Sequence, residues 1–94
     1  MKSYYVYIMS NKANGTLYVG STTDLLRRVE EHKAGDSAFT GAHGLSMLVW
    51  YEEHADISTA AERERLIKKW RCNSKLNLIE SLNPGWRDLA DDLA

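Results

Sequence analysis

Ninety-four residues, 44% hydrophobic and 27% charged, suffice for one small globular core and exclude a disordered or low-complexity chain. A net charge of −1 speaks against a tight, strongly basic nucleic-acid binder. The single cysteine, Cys72, excludes an internal disulfide and argues against a cysteine-rich zinc site. A cytoplasmic setting is therefore expected, and no apolar run approaches the ~20 residues of a membrane span.

Residues 4–9, YYVYIM, are aromatic and β-branched and read as a strand. Asn14-Gly15 is a hairpin signal, with Leu17 to Gly20 as the returning strand. A turn centred there pairs position 7 near 22 and position 11 near 18. Alternation then puts Tyr7, Tyr18 and Gly20 on one face. Val6, Ile8, Leu17 and Val19 take the other, which is the better core face. Gly20 removes a side chain where a backbone could approach a ligand.

Ser21 or a following threonine caps the next helix, Ser21 with Asp24 resembling a capping box. That helix runs to about Ala34, and Gly35 is a natural residue to follow its end. Residues 36–45 read as a loop. Ser46 to Glu53, apolar through its middle, reads as a third and central strand. Thr59 with Glu62 makes the capping box of a second helix that runs to about Cys72. Asn73-Ser74 breaks it. A short third helix over Lys75 to Leu82 ends at Asn83-Pro84-Gly85. Trp86 tucks onto the body, and the acidic tail beyond about residue 87 frays. The order ββαβαα predicts an α/β fold: a small three-stranded antiparallel sheet flanked by helices, in one domain over residues 1–94.

Some residues do not suit a plain core. On the first helix, positions 25, 28, 29 and 32 share one face. Leu25 and Val29 are apolar, but Arg28 and His32 are not. On the second helix Glu64 sits beside Ile67 at the edge of the apolar stripe. A partly buried carboxylate is costly unless it is paired or holds a cation. An Arg28–Glu64 salt bridge between helices, or long side chains that snorkel to water, is the plain structural explanation. If these residues meet the tyrosines, a different chemistry is available. A carboxylate can hold a hard divalent cation, and an arginine can pair phosphate oxygens. A tyrosine beside cations can have its pKa pulled down from about 10 and help deprotonate water. Together these groups suit phosphodiester hydrolysis.

The pattern Val6-Tyr7, then Tyr18-Val19-Gly20, then Arg28 and His32 resembles the GIY-YIG nuclease family. Glu64 within RERLIKKW resembles its small single-domain bacterial branch, the URI-type domain, as do Phe39-Thr40 and the LVWYE run at 48–52. The resemblance implies a small sheet flanked by helices and metal-dependent hydrolysis of DNA. By position, Tyr7 and Tyr18 match the two motif tyrosines, one of which is proposed to help activate water. Arg28 matches the catalytic arginine, with Arg27 its outward neighbour. His32 matches a common family histidine, and Glu64 the glutamate that binds Mg²⁺ or Mn²⁺. Asn83 corresponds loosely to a late asparagine. The first motif reads YVY in place of GIY, with Tyr5 where the glycine stands, and the second reads YVG.

DNA is the partner this implies, in repair or on branched or single-stranded forms, with a repair protein as a second partner and no membrane. Arg27, Lys68, Lys69 and Arg71 are the expected nucleic-acid contacts. Two other readings make different predictions. A non-catalytic module would dock nucleic acid or a repair protein through the basic segment 63–75, needing neither Glu64 nor metal. A structural homologue would use its polar residues as a buried ion-pair network. His43 and His54 read as solvated, Trp50 and Trp70 as core, and Cys72 as a small buried hydrophobe.

Overall fold

The computed structural model describes residues 3–35 and 44–93. Strand β1 is Tyr4–Ser10, β2 Leu17–Thr22 and β3 Met47–His54; helix α1 is Leu25–Lys33, α2 Ile57–Lys69 and α3 Cys72–Leu82. A short 3-10 turn, Leu89–Asp92, follows. The three strands form one antiparallel sheet in the order β2-β1-β3. The ββαβαα fold expected from the sequence is thus the fold observed.

The hairpin is shifted by two residues from its expected register. Tyr7 pairs with Gly20, Ile8 with Val19 and Ser10 with Leu17. The connection is a longer loop, with Asn14 at φ 57° and the Asn11 side chain accepting from the Thr16 N–H at 3.0 Å. A two-residue shift leaves every side chain on its predicted face, because the strand period is two. What differs is that both faces are core. Val6, Ile8, Val19, Val49 and Trp50 pack with Ala60 and Ile67 of α2 and Ile79 of α3. Tyr7, Met9 and Leu48 pack with Leu25 and Val29 of α1 and with Leu45, Leu89 and Ala90.

The central strand is β1, and β3 lies at an edge. The apolar run in β3 comes from a bulge. Ile8 pairs with Trp50 and Met9 with Leu48, so Val49 is an extra residue. The bulge sends Val49 and Trp50 into one core and Leu48 into the other, which makes an edge strand read as buried throughout.

The helix ends also differ in detail. Asp24, one turn later than Ser21, caps α1 by accepting from the Arg27 N–H at 3.2 Å. Gly35 follows the helix end at φ 79°, as expected. Asp56, not Thr59, caps α2, accepting from the Thr59 N–H at 2.9 Å. That helix stops at Lys69, because Trp70 turns extended. Cys72 therefore opens α3 and is exposed, where a buried position was expected. The tail does not fray: Leu89 and Ala90 are buried. The Asp88 carboxylate anchors them by accepting from the Leu48 and Ala90 N–H groups, each at 3.1 Å, and by pairing with Lys33. Trp86 is buried, its indole N–H donating to Glu80 at 3.1 Å. No helix among the described residues is long and apolar enough to cross a membrane.

Candidate active site

Strand β2 forms one edge of the sheet, with α1 on one side of it and α2 on the other. Tyr7, in the central strand, lies opposite Gly20. A Cβ on Gly20 would stand 2.7 Å from the Tyr7 hydroxyl oxygen, 2.9 Å from its Cζ and 3.0 Å from Cε2 of Tyr18. The glycine therefore admits the Tyr7 ring, which crosses β2 toward that edge. The close approach expected of a ligand at this glycine is made by a tyrosine of the protein itself.

Tyr7 and His32 are both buried, and the Tyr7 hydroxyl lies 2.8 Å from His32 Nε2. The Tyr18 ring packs against both, with ring centroids 6.3 Å from Tyr7 and 5.3 Å from His32. Burial pushes the Tyr7 phenol up to about 12, although the Arg28 guanidinium works the other way. The lowered phenol expected from neighbouring cations is thus corrected: desolvation outweighs the nearby charge. Burial, and then the charge of Arg28, lower the His32 pKa from its ordinary 6.5, so the imidazole is neutral at physiological pH.

Arg28 resolves the oddity of the first helix. Its side chain is 36% exposed and pairs with Glu31 at 2.8 Å. Glu31 first and then Tyr7 hold its proton more firmly. It stands at the rim of the aromatic cluster and not in the dry core.

Glu64 approaches the same edge from α2. Its carboxylate accepts from Ser21 Oγ at 2.5 Å and pairs with Lys68 Nζ at 2.6 Å. Burial opposes ionisation, but the Lys68 and Ser21 hydrogen bonds prevail and hold the carboxyl below the usual range. The expected Arg28–Glu64 salt bridge is not the arrangement formed. Each has a closer partner on its own helix, Glu31 at i+3 and Lys68 at i+4. Glu64 is instead tied to β2 through Ser21.

The donor set suits a hard divalent ion. Glu64 offers carboxylate oxygens on a side chain 21% exposed, so water can supply further ligands. Among the described residues no three His, Cys, Asp or Glu side chains cluster as a metal site. Any such ion would rest on Glu64, water and the substrate.

The basic segment is less free than its sequence implies. Arg63 pairs with Glu52 at 3.1 Å and lies over Trp50 and Trp70, 5.9 and 5.4 Å from the ring centres. Arg65 pairs with Glu62 at 2.6 Å and Lys68 with Glu64. Lys69 and Arg71 are exposed. Arg27 points outward with a side chain 77% exposed, 3.4 Å from Glu31. Asn83 is buried and structural: its amide donates to the Val49 carbonyl at 3.1 Å and the Arg87 carbonyl at 2.8 Å. His54, read as solvated, is half-buried and bonded to Glu52 and Thr59. Phe39, Thr40 and His43 lie outside the described residues.

Sequence reasoning missed Ser21 as a site residue, having placed it at a helix start. It is a strand residue paired with Val6, and alternation from Val19 would have set it on the α2 side. It also read Lys68 only as a DNA contact, although a glutamate four residues before a lysine signals an intrahelical pair.

This fold and this set of side chains define a class. Residues 3–77 match the family model described as the GIY-YIG catalytic domain, and the chain belongs to that family. Within it, the chain is similar to UPF0213 proteins. It is 36% identical over 86 residues to the one from Desulfotalea psychrophila, covering 89% of this chain and 77% of that one. It is 38% identical over 81 residues to the one from Staphylococcus haemolyticus, covering 85% and 98%. The solution NMR structure of the UPF0213 protein BH0048 from Bacillus halodurans superposes with a TM-score of 0.59 at 28% identity, over 92% of each chain.

Proposed function

We propose that the protein is a divalent-metal-dependent nuclease that hydrolyses phosphodiester bonds of DNA, in repair or on branched or single-stranded forms. The observation that carries this reading is the cluster of Tyr7, His32 and Tyr18, with the Tyr7 hydroxyl 2.8 Å from His32 Nε2 and the Tyr18 ring centroid 5.3 Å from that of His32, beside the edge strand whose Ser21 bonds Glu64. A phosphate at that edge meets a fixed guanidinium, which can pair two of its oxygens as charge develops. Glu31 holds that guanidinium at 2.8 Å.

Tyr7 and neutral His32 form a proton path. At a pKa of about 12 the phenol is a poor base alone. With His32 Nε2 at 2.8 Å, however, Tyr7 can pass its own proton to the imidazole while its oxygen takes one from the attacking water. Glu64 would hold Mg²⁺ or Mn²⁺, which when bound supplies Lewis-acid polarisation of the phosphate and charge stabilisation at the leaving oxygen. Arg27, Lys69 and Arg71 are placed to steady the flanking strand, while Lys68 is engaged by Glu64.

The test is a cleavage assay on plasmid, single-stranded and branched DNA with Mg²⁺, Mn²⁺ or EDTA, beside folded Arg28→Ala and Glu64→Gln variants. Metal-dependent cutting that falls at least about a hundredfold in either variant is expected for a lost transition-state contact. Cutting that persists in both variants would overturn the assignment.

A further inference from the structure

Glu64, which on the reading above holds the divalent ion, already has a cation. Lys68 Nζ lies 2.6 Å from Oε2, and Ser21 Oγ donates to Oε1 at 2.5 Å, so both carboxylate oxygens are engaged. The pair runs from Glu at i to Lys at i+4, the favourable direction along a helix. Its two halves are unequally held. The carboxylate side chain is 21% exposed and the lysine 51%. Glu64 is tied to β2 through Ser21, while the more exposed ammonium sits on a flexible stem and can swing into water.

No three potential metal-ligating side chains cluster among the described residues. An ammonium and a divalent ion on one carboxylate repel each other.

We infer that Lys68 is the resident counter-cation of Glu64, a positioning residue that keeps the carboxylate aimed while suppressing metal binding to the free protein, and that the divalent ion enters by displacing it. The inference rests on the proposed metal-holding role of Glu64. The displaced ammonium is left beside the site, where its charge can meet a phosphate.

The experiment is a Mn²⁺ titration of the free protein, read as paramagnetic broadening of the Ser21 and Glu64 amide resonances. It compares wild type with Lys68→Met, Lys68→Arg and Glu64→Gln, each confirmed folded by its amide spectrum. Lys68→Met keeps the stem and removes the charge, and should reach half-broadening at a Mn²⁺ concentration about tenfold lower, the scale of one unscreened like charge near the protein surface. Lys68→Arg should stay near wild type, and Glu64→Gln should abolish the broadening. Equal midpoints for wild type and Lys68→Met, with broadening still lost in Glu64→Gln, would overturn the role of Lys68 and leave that of Glu64 standing. Broadening unaffected by Glu64→Gln, or absent from every variant, would overturn both.

Discussion

Gly20→Ala tests the packing on which the site depends. The new Cβ would meet the Tyr7 hydroxyl oxygen at 2.7 Å and Cζ at 2.9 Å, closer than carbon approaches oxygen or carbon without repulsion. Tyr7 has little room to retreat, being 1% exposed and packed against Met9, Leu25 and Val29. Overpacking of this kind costs about 1–3 kcal/mol. Moving the ring also breaks the 2.8 Å bond to buried His32, and a stranded buried polar group costs about 1–3 kcal/mol. The sum is a loss of about 2–6 kcal/mol, and for a domain of this size each kcal/mol lowers the Tm by roughly 4–8 °C. Urea denaturation of wild type, Gly20→Ala, Tyr7→Phe and the double variant measures it. Because Tyr7→Phe deletes the nearest contact, the glycine substitution should cost less in that background, with a coupling of at least ~0.5 kcal/mol. A Gly20→Ala protein within ~0.5 kcal/mol of wild type, the range of an ordinary surface change, would refute this account of the glycine.

Two further predictions concern the neighbourhood of the site. His32 has its pKa lowered by burial and then by Arg28, so the unfolded chain binds the proton more readily than the folded one. Stability is therefore full above the unfolded value of about 6.5 and falls as pH drops through it toward the lower folded value. The carboxylates Glu31 and Glu64, lowered from 4.5, lose their contribution only at more acidic pH. Urea midpoints at pH 7.5 and 5.5 should show a loss for wild type that is absent in a folded His32→Gln variant. Asp88→Ala should release the tail: with the Leu48 and Ala90 N–H groups unpaired, a loss of about 1–3 kcal/mol is expected, and the Leu48 amide should exchange faster with solvent. Unchanged exchange at Leu48 would show that the tail is held by its apolar contacts alone.

The side-chain faces were legible because strand alternation survives an error of two residues. Tyr7, Tyr18 and Gly20 share a face in either register. Arg28 and His32 were legible as departures from an apolar stripe, and Glu64 as a carboxylate at the edge of another. Features set by tertiary packing were not legible. The bulge at Val49 turns an edge strand into an unbroken apolar run, which periodicity reads as a centre. The break after Lys69 follows from Trp70 turning extended and packing against the core beside Arg63, with no proline or glycine to announce it. Nor could composition show that Tyr7 is desolvated strongly enough to raise its pKa. That follows from α1 closing over the sheet, which also explains why Gly20 makes room for a ring and not for a ligand. Of the pairings that engage the basic segment, only that of Arg63 with Glu52 on β3 needed the fold; those of Arg65 with Glu62 and Lys68 with Glu64 were legible as i,i+3 and i,i+4 spacings.

The central claim is that one phosphate is gripped by Arg28 at the β2 edge, beside the two tyrosines. An amide-resonance titration of the Glu64→Gln protein with a short duplex oligonucleotide, free of metal to prevent cutting, addresses it directly. Shifts centred on Gly20, Ser21 and the first turns of α1, and absent in the Arg28→Ala background, are the predicted result. Shifts confined to the outward face of α2 and α3 around Lys69 and Arg71, indifferent to Arg28, would contradict it.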